Sequence, residues 1–174
     1  APGAVRLALA STGAAVPVTI VEYYHAAFDH YFITWMPAEI ALLDAGIVIK
    51  GWARTGKTIA ALMNAVEGTA AVCRIYIPPG KGDGHYFGRD AVECDGTMAK
   101  NPTFVLESPA FFHLYPPSAG NCAAGTVPVY RVYSNRADAN HRYTTDRAVR
   151  DAMVAKGWLA EGDGPDFVVM CAPQ

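Results

Sequence analysis

The sequence predicts an α+β, mainly β fold in which three similar units close around one core. The first observation behind this prediction is an aromatic cluster around a histidine, which occurs three times at spacings of 55 and 56 residues. The three clusters are Asp29-His30-Tyr31-Phe32, Gly84-His85-Tyr86-Phe87 and Asn140-His141-Arg142-Tyr143. Similarity at a fixed period is typical of repeat proteins, so matching positions are expected to have matching roles.

The second observation is a segment rich in β-branched and aromatic residues upstream of each histidine. These segments are Val21-Glu22-Tyr23-Tyr24, Cys73-Arg74-Ile75-Tyr76 and Tyr130-Arg131-Val132-Tyr133. Two such runs joined by a short polar turn predict a β-hairpin in each unit. We therefore expect a single domain over residues 1–174, with repeats at about 16–68, 69–121 and 122–174. The weakly patterned residues before the first repeat predict a leading strand or a linker.

Each hairpin is followed by the start and stop signals of one short helix. The expected boundaries are Pro37 and Gly46 for the first helix, Asp90 and about Lys100 for the second, and Thr144 or Thr145 and Gly157 for the third. One or two further strands complete each unit. Because units of this size cannot bury a hydrophobic face alone, we expect three pseudo-equivalent repeats to close around a shared core with approximate three-fold symmetry.

Composition narrows the classes of function. The chain has 174 residues, 52% of them hydrophobic, and a net charge of −2. This is enough apolar material for one buried core, yet no run reaches the roughly 20 apolar residues of a membrane helix. No stretch is rich in Lys or Arg, so neither a membrane span nor a nucleic-acid partner is predicted.

Four cysteines, at positions 73, 94, 122 and 171, form an even set without a C-x-x-C pair. This favours two disulfides over a zinc site, and three pairings of Cys73, Cys94, Cys122 and Cys171 are compatible with the sequence. Disulfides form in oxidising compartments. Together with a start at Ala1, which fits a mature exported protein, they predict a secreted or periplasmic location.

Residues 51–58 match the phosphate-binding pattern G-x-x-x-x-G-K-[ST]. The repeat nevertheless aligns Gly51-Trp52 with Gly157-Trp158, and Gly56 with Gly162. These glycines are therefore interpreted as helix stops and strand entries rather than as a nucleotide site. No cofactor is predicted.

The residues with catalytic chemistry form no recognisable set. There is no G-x-S-x-G motif, and nothing in the sequence selects a pair of carboxylates. Three imidazoles are a known zinc arrangement, but histidines that occur once per repeat are more typical of structural positions. We therefore predict no catalytic residue and no metal ligand.

Aromatic rings beside His, Asn and Arg are typical of sites that bind sugars or peptides. Because the rings recur with the repeat, most are expected in the core, and those on the outer strand faces are candidates for ligand binding. The candidate residues are His30, Tyr31, His85, Tyr86, Arg131, Asn140, His141 and Arg142.

The third repeat carries the clearest family signature. It contains Tyr130-Arg131-Val132-Tyr133-Ser134-Asn135, then His141-Arg142-Tyr143-Thr144, then Gly157-Trp158-Leu159-Ala160-Glu161-Gly162. This pattern resembles a family of secreted bacterial and fungal repeat domains of unknown function, over about residues 18–173. Their units typically have the sequences Y-R-x-Y-N, H-F-Y-T and G-Y-x-x-E-G. The resemblance implies an exported accessory domain, often appended to a hydrolase. The first repeat departs from the pattern with Glu22 where Arg74 and Arg131 stand.

The leading hypothesis is a secreted, non-catalytic binding or accessory module. Its expected partner is carbohydrate or another cell-surface polymer, and a parent or partner exported hydrolase is a further expected association. The alternative is a small exported hydrolase or metal-dependent enzyme that uses His30, His85 and His141.

Overall fold

The computed structural model describes residues 13–174, so the predicted leading strand or linker lies largely outside the described residues. The order hairpin, helix, strand occurs three times. The first unit contains β1 (Pro17–His25), β2 (His30–Thr34), α1 (Pro37–Ala45) and β3 (Trp52–Leu62). The second unit contains β4 (Ala70–Ile77), β5 (Gly84–Gly88), α2 (Ala91–Lys100) and β6 (Val105–Leu114). The third unit contains β7 (Thr126–Tyr133), β8 (His141–Thr144), α3 (Arg147–Ala155), β9 (Leu159–Glu161) and β10 (Met170–Pro173).

The strands form two antiparallel sheets. A six-stranded sheet has the order β2-β1-β3-β6-β4-β5, so the first two units meet where β3 pairs with β6 at Leu62 and His113. The third unit forms a four-stranded sheet in which β7 pairs with β8, β9 and β10. The prediction of a mainly β, α+β fold is confirmed.

The helix ends show which local signals decide the boundaries. Helix α1 begins at Pro37 and ends at Gly46, whose φ of 61° suits a residue without a Cβ. Helix α2 is capped by Asp90, whose side chain accepts a hydrogen bond from the backbone N of Glu93. The expected cap of α3 at Thr144 or Thr145 is wrong by one or two residues. Asp146 caps this helix, because its carboxylate accepts from two backbone N–H groups of the first turn.

The main hydrophobic core draws on all three units. It contains Ile20 and Ile59 of the first unit, Phe87 and Phe112 of the second, and Val129, Tyr143 and Met170 of the third. The Tyr143 hydroxyl donates to the Phe87 carbonyl at 2.8 Å and accepts from the Phe87 backbone N at 2.8 Å. This buried phenol therefore satisfies the β5 backbone and fixes the third unit against the second.

The four cysteines form two disulfides, as predicted. Cys73 of β4 pairs with Cys94 of α2, which joins helix and hairpin within the second unit. Cys122 pairs with Cys171 of β10. Two disulfides are typical of proteins that fold in an oxidising compartment.

The segment that matches a phosphate-binding loop lies on a strand. Residues 52–62 form β3, which pairs with β1 through Ala60 and Ile59, so no helix follows Lys57. A phosphate-binding loop needs a helix N-terminus at this point, and the strand does not supply one. In the described part of the chain, no helix has the length and apolar character that a membrane span requires.

Candidate functional site

A cleft of about 350 Å³ lies between the first and second units and is here called the first cleft. Its aromatic walls come from both units, because the β1–β2 hairpin faces the β4–β5 hairpin across it. The rings are those of Phe28, Tyr31, Phe32, Trp52 and Tyr76. Phe28 is 56% exposed and forms the outer edge, while the other rings are half-buried. Solvent reaches these rings in part, while Phe28 stacks on His25 at 4.2 Å and Tyr31 on the Arg142 guanidinium at 4.1 Å.

Charged groups form the polar base of the first cleft. The guanidinium of Arg74 on β4 donates to both oxygens of Glu39 on α1, at 2.8 and 2.9 Å. Its Nε lies 3.1 Å from Oε1 of Glu107 on β6. The same oxygen lies 2.7 Å from Nε2 of His85 on β5. The base is thus a continuous chain of ionic contacts across two units.

The contacts keep both glutamates ionised at neutral pH. Burial alone raises the pKa of Glu39, but hydrogen bonds from Arg74 and Thr34 outweigh it, and the pKa lies below its usual value. The pKa of Glu107 is also lowered, first by the hydrogen bond from His85 and, against the opposing effect of burial, by the charge on Arg74. The first cleft therefore carries fixed negative charge.

A second cleft of about 260 Å³ lies between the second and third units. It is lined by His141 and Glu161, and an ion pair like that of Arg74 and Glu39 lies next to it. Arg131 of β7 donates to both oxygens of Glu93 on α2, at 2.5 and 3.2 Å, and its Nε donates to Glu161 of β9 at 2.9 Å. His141 lies 3.4 Å from the same oxygen of Glu161. An arginine of the later unit therefore joins a helix glutamate of the earlier unit in both places.

Burial acts on the pKa values of two groups at the second cleft, His141 and Glu93. It lowers the pKa of His141 to about 3, with a smaller contribution from the positive charge of Arg131. The ring of His141 stacks on Tyr133 at 5.0 Å and meets the edge of Tyr86 at 5.0 Å. Burial opposes ionisation of Glu93 as well, but the hydrogen bonds from Arg131 prevail and lower its pKa to about 2. His141 is consequently neutral at any physiological pH.

The third unit meets the first with the charges reversed. Glu22 stands at the strand position of Arg74 and Arg131, and it accepts two hydrogen bonds from Arg142 of β8 at 2.9 and 2.8 Å. The Thr55 hydroxyl donates to Glu22 at 2.7 Å. Glu22 is 2% exposed and Arg142 9%, so this pair is the most buried of the three. No charged group of the pair is left for a ligand.

Two of the predicted ligand-binding residues line each cleft. Tyr31 and His85 lie in the first, and Tyr86 and His141 lie in the second. The other four are buried in contacts between units. Arg131 and Arg142 hold the glutamates described above, and His30 lies 3.3 Å from Asp138.

Asn140, the last of these four, is fully buried. Its side-chain oxygen accepts from the backbone N of Tyr31 at 2.8 Å, and its Nδ2 donates to the Tyr31 carbonyl. This amide therefore links the β8 hairpin to β2 as an additional strand would.

The sequence did not single out the other aromatic and charged residues of the first cleft. They are Phe28, Phe32, Glu39, Trp52, Arg74, Tyr76, Asp83 and Glu107. No motif in the sequence points to Glu39, and the recurrence of the aromatic rings with the repeat predicts core positions for most of them. One feature of the sequence could have indicated these ion pairs. Glu39 and Glu93 occupy the same position, the first turn of a helix, and in both cases the hairpin that follows the helix carries an arginine.

The three repeated histidines have separate partners, which are Asp138 for His30, Glu107 for His85 and Glu161 for His141. Within residues 13–174, no three His, Cys, Asp or Glu side chains are grouped in a way that could hold a metal ion. The geometry of the described residues thus gives no support to a shared zinc site.

These features define a disulfide-linked, mainly β domain with aromatic and charged clefts between its units. The chain belongs to the family described as Domain of unknown function (DUF5648), whose model matches residues 23–165. That range includes the residues that line both clefts and Arg142 of the reversed ion pair, whereas Glu22 lies one residue before it. No curated protein and no solved structure shows significant similarity to the chain.

Proposed function

We propose that this protein is a secreted or periplasmic, non-catalytic binding module that takes carbohydrate, as part of a cell-surface polymer, in the first cleft. The observation that carries the proposal is the combination of solvent-reached aromatic rings with a polar base of Arg74, Glu39, Glu107 and His85. Sugar rings have one apolar face and a rim of hydroxyl groups. Aromatic walls can stack on the apolar face of the sugar, and fixed carboxylates can accept hydrogen bonds from its hydroxyl groups.

The proposal extends to the architecture. In it, the three units are pseudo-equivalent repeats that close around one core. The cyclic pattern of ion pairs supports this, because each strand position 22, 74 and 131 pairs with an opposite charge from another unit. The resemblance to exported repeat domains supports a role beside a parent or partner hydrolase.

The test is calorimetric titration of the protein with a panel of neutral, cationic and acidic oligosaccharides. We expect saturable binding by at least one class. Phe28→Ala and Trp52→Ala should each weaken it about tenfold or more, since aromatic anchors dominate such sites. Phe28→Ala is the safer variant for folding, because this ring is 56% exposed.

The control is Phe167→Ala, which removes a ring that is 45% exposed and lies outside both clefts. Its affinity should equal that of the unmodified protein. Absence of binding across the panel would contradict the proposal. Chromatography of the same mixtures after long incubation should return every oligosaccharide intact, and cleavage products would contradict the non-catalytic part.

A further inference from the structure

We propose that the first cleft selects sugars that carry a free, protonated amine, as in a deacetylated amino-sugar polymer, over neutral and acidic sugars. This inference rests on the carbohydrate-binding function proposed above and names the ligand class of that site. Three properties of the cleft support this inference. They are its negative charge, the engagement of its arginine by Glu39, and the carboxylate oxygens that can still accept hydrogen bonds.

The charge balance of the first cleft is negative. Among the described residues that line it, the carboxylates are Glu39, Asp83 and Glu107, and Arg74 is the only arginine or lysine. The three carboxylates outnumber the one guanidinium by two, so the formal charge of the lining is negative whether or not His85 carries a proton. Aromatic walls exclude water from one side of such a group of charges, so the field within the cleft is focused rather than screened. A cation is attracted and an anion is repelled.

The terminal nitrogens of the single guanidinium are already occupied. Both donate to Glu39, while the buried Nε lies 3.1 Å from Glu107 without making a hydrogen bond. Its side chain is 11% exposed and packs over the ring of Phe111 at 4.3 Å. A uronic acid or a phosphate normally binds through a free guanidinium fork, which this arginine does not present.

Two carboxylates keep an oxygen for a ligand. The shortest contacts of Glu107, from His85 and Arg74, both fall on Oε1, and 32% of the Glu107 side chain is exposed. Asp83 is exposed and accepts the Tyr76 hydroxyl on Oδ1 at 2.6 Å. The second oxygen of each carboxylate is an acceptor. A protonated amine has three donors and no acceptor, so it matches these groups better than a hydroxyl or an acetamide does.

The aromatic walls favour a sugar over a lysine side chain. Phe32 and Tyr76 flank His85 at 5.0 and 5.3 Å between ring centres, and Trp52 lies beside Phe32 at 6.0 Å. Rings on several sides of a cleft stack on the flat face of a pyranose, and they also attract an adjacent ammonium group. A lysine brings the charge without the flat face.

The experiment measures by calorimetry the affinity of the intact chain for four tetramers. They are the tetramers of glucosamine, N-acetylglucosamine, galacturonic acid and lysine. We expect the glucosamine tetramer to bind about tenfold or more tightly than the acetylated one, the size of one charge-assisted hydrogen bond. Equal or tighter binding of the acetylated or acidic tetramer would overturn the inference while leaving the proposed function in place. Tighter binding of tetralysine would also overturn it. Binding of no sugar would contradict both.

Two variants locate the effect. Glu107→Gln and Asp83→Asn each remove a negative charge with little change in shape, and both should weaken the glucosamine tetramer about tenfold. Asp83→Asn is safe for folding, because its φ of 49° is one that asparagine tolerates. The matched control is Asp151→Asn, whose carboxylate is 59% exposed on α3 and lies outside both clefts. If Asp83→Asn and Glu107→Gln melt normally and keep full affinity, the inference is wrong.

Discussion

The first and second clefts each have a histidine beside a glutamate and lie next to an arginine–glutamate pair that joins two units, yet the two histidines differ in exposure. His85 in the first cleft has 21% of its side chain exposed, and His141 in the second has 11%. The helix of the second cleft is tied to its hairpin by the Cys73–Cys94 disulfide, whereas α1 beside the first cleft relies on apolar packing around Leu43 and Val21. The comparison teaches that one pattern of residues, an arginine joined to a helix glutamate of the preceding unit, occurs beside histidines of different exposure.

The reversed ion pair of Glu22 and Arg142 is a third contact between units, and it is buried rather than set beside a cleft. Glu22 and Arg142 are buried with Tyr31 stacked over the guanidinium at 4.1 Å, and the ion pair replaces a cleft. From Glu39 to Glu93 and then to Glu22, the exposed fraction of the glutamate side chain falls from 25% to 21% and 3%, so we expect the energetic contribution of the ion pair to rise in the same order. Each prediction below tests one step of that order.

The largest expected effect is that of Glu22→Ala. It leaves Arg142 as a buried, unpaired charge, so the free energy of unfolding should fall by about 3–5 kcal/mol. Glu39→Ala should cost less, about 1–3 kcal/mol, because Arg74 keeps Glu107 as a partner. Urea denaturation of both variants measures the difference. The double variant Glu22→Leu/Arg142→Met leaves no unpaired charge and should be more stable than Glu22→Ala, and equal losses for Glu22 and Glu39 would contradict the proposed order.

The next effect concerns the disulfide beside the second cleft. Replacing Cys73 and Cys94 by Ala opens a crosslink between residues separated by 21 positions, which should cost about 2–4 kcal/mol in thermal or urea unfolding. Because the crosslink does not touch the first cleft, ligand affinity there should be unchanged at temperatures where the variant is folded. Thiol titration of the denatured, unreduced wild-type protein should find no free sulfhydryl, and one or more reactive thiols would contradict the pairing.

A third prediction uses the buried imidazole. The pKa of His141 is about 3 in the folded protein and about 6.5 in an unfolded chain, so between these values the unfolded state binds a proton that the folded state does not. Stability should therefore fall as the pH falls below 6.5, with a slope approaching about 1.4 kcal/mol per pH unit. Urea denaturation between pH 6.5 and 5 measures this slope before Glu93 begins to protonate.

The control for this prediction is His141→Gln, which should lose the slope that His141 contributes. Nuclear magnetic resonance gives a direct check, because the His141 ring signals should not titrate above pH 4. A normal titration near pH 6.5 would contradict the burial of His141 in the second cleft.

The smallest effect is expected at Lys57, within the segment that matches a phosphate-binding loop. Its Nζ lies 2.8 Å from Asp146, and both side chains are more than a third exposed, at 47% and 37%. Surface pairs of this kind contribute about 0–1 kcal/mol. Lys57→Ala should therefore change the melting temperature little, and calorimetry with ATP and magnesium should show no binding to either protein. Micromolar binding that the variant loses would contradict the assignment of this segment to a strand.

Local signals predicted the elements of the fold well. Hairpins, helices and most boundaries follow from β-branched runs, from Gly and Pro at turns and from Asp90 as a cap, all of which act within a few residues. The cap of α3 was misassigned because Thr144, Thr145 and Asp146 are adjacent, and only the geometry selects the carboxylate.

The clefts were harder to predict, because they are made by residues that are distant in sequence. Arg74 and Glu39 are 35 residues apart, and Arg131 and Glu93 are 38 apart. One signal was nevertheless present. At the strand position where the second and third repeats have Arg74 and Arg131, the first repeat has Glu22. At the position after the histidine, where the first two repeats have tyrosine, the third has Arg142. Two departures of opposite charge in a repeat indicate that the two positions contact each other.

The long reach of the reversed pair has a consequence for synthesis of the protein on the ribosome. Glu22 belongs to the first hairpin to emerge, while Arg142 lies 120 residues later in the chain. Until that arginine appears, the Glu22 carboxylate lacks the counter-charge that offsets its burial, and the Thr55 hydroxyl of the same unit is the side-chain donor already at hand. Docking of the last hairpin supplies the charge and completes the contact between the third and first units.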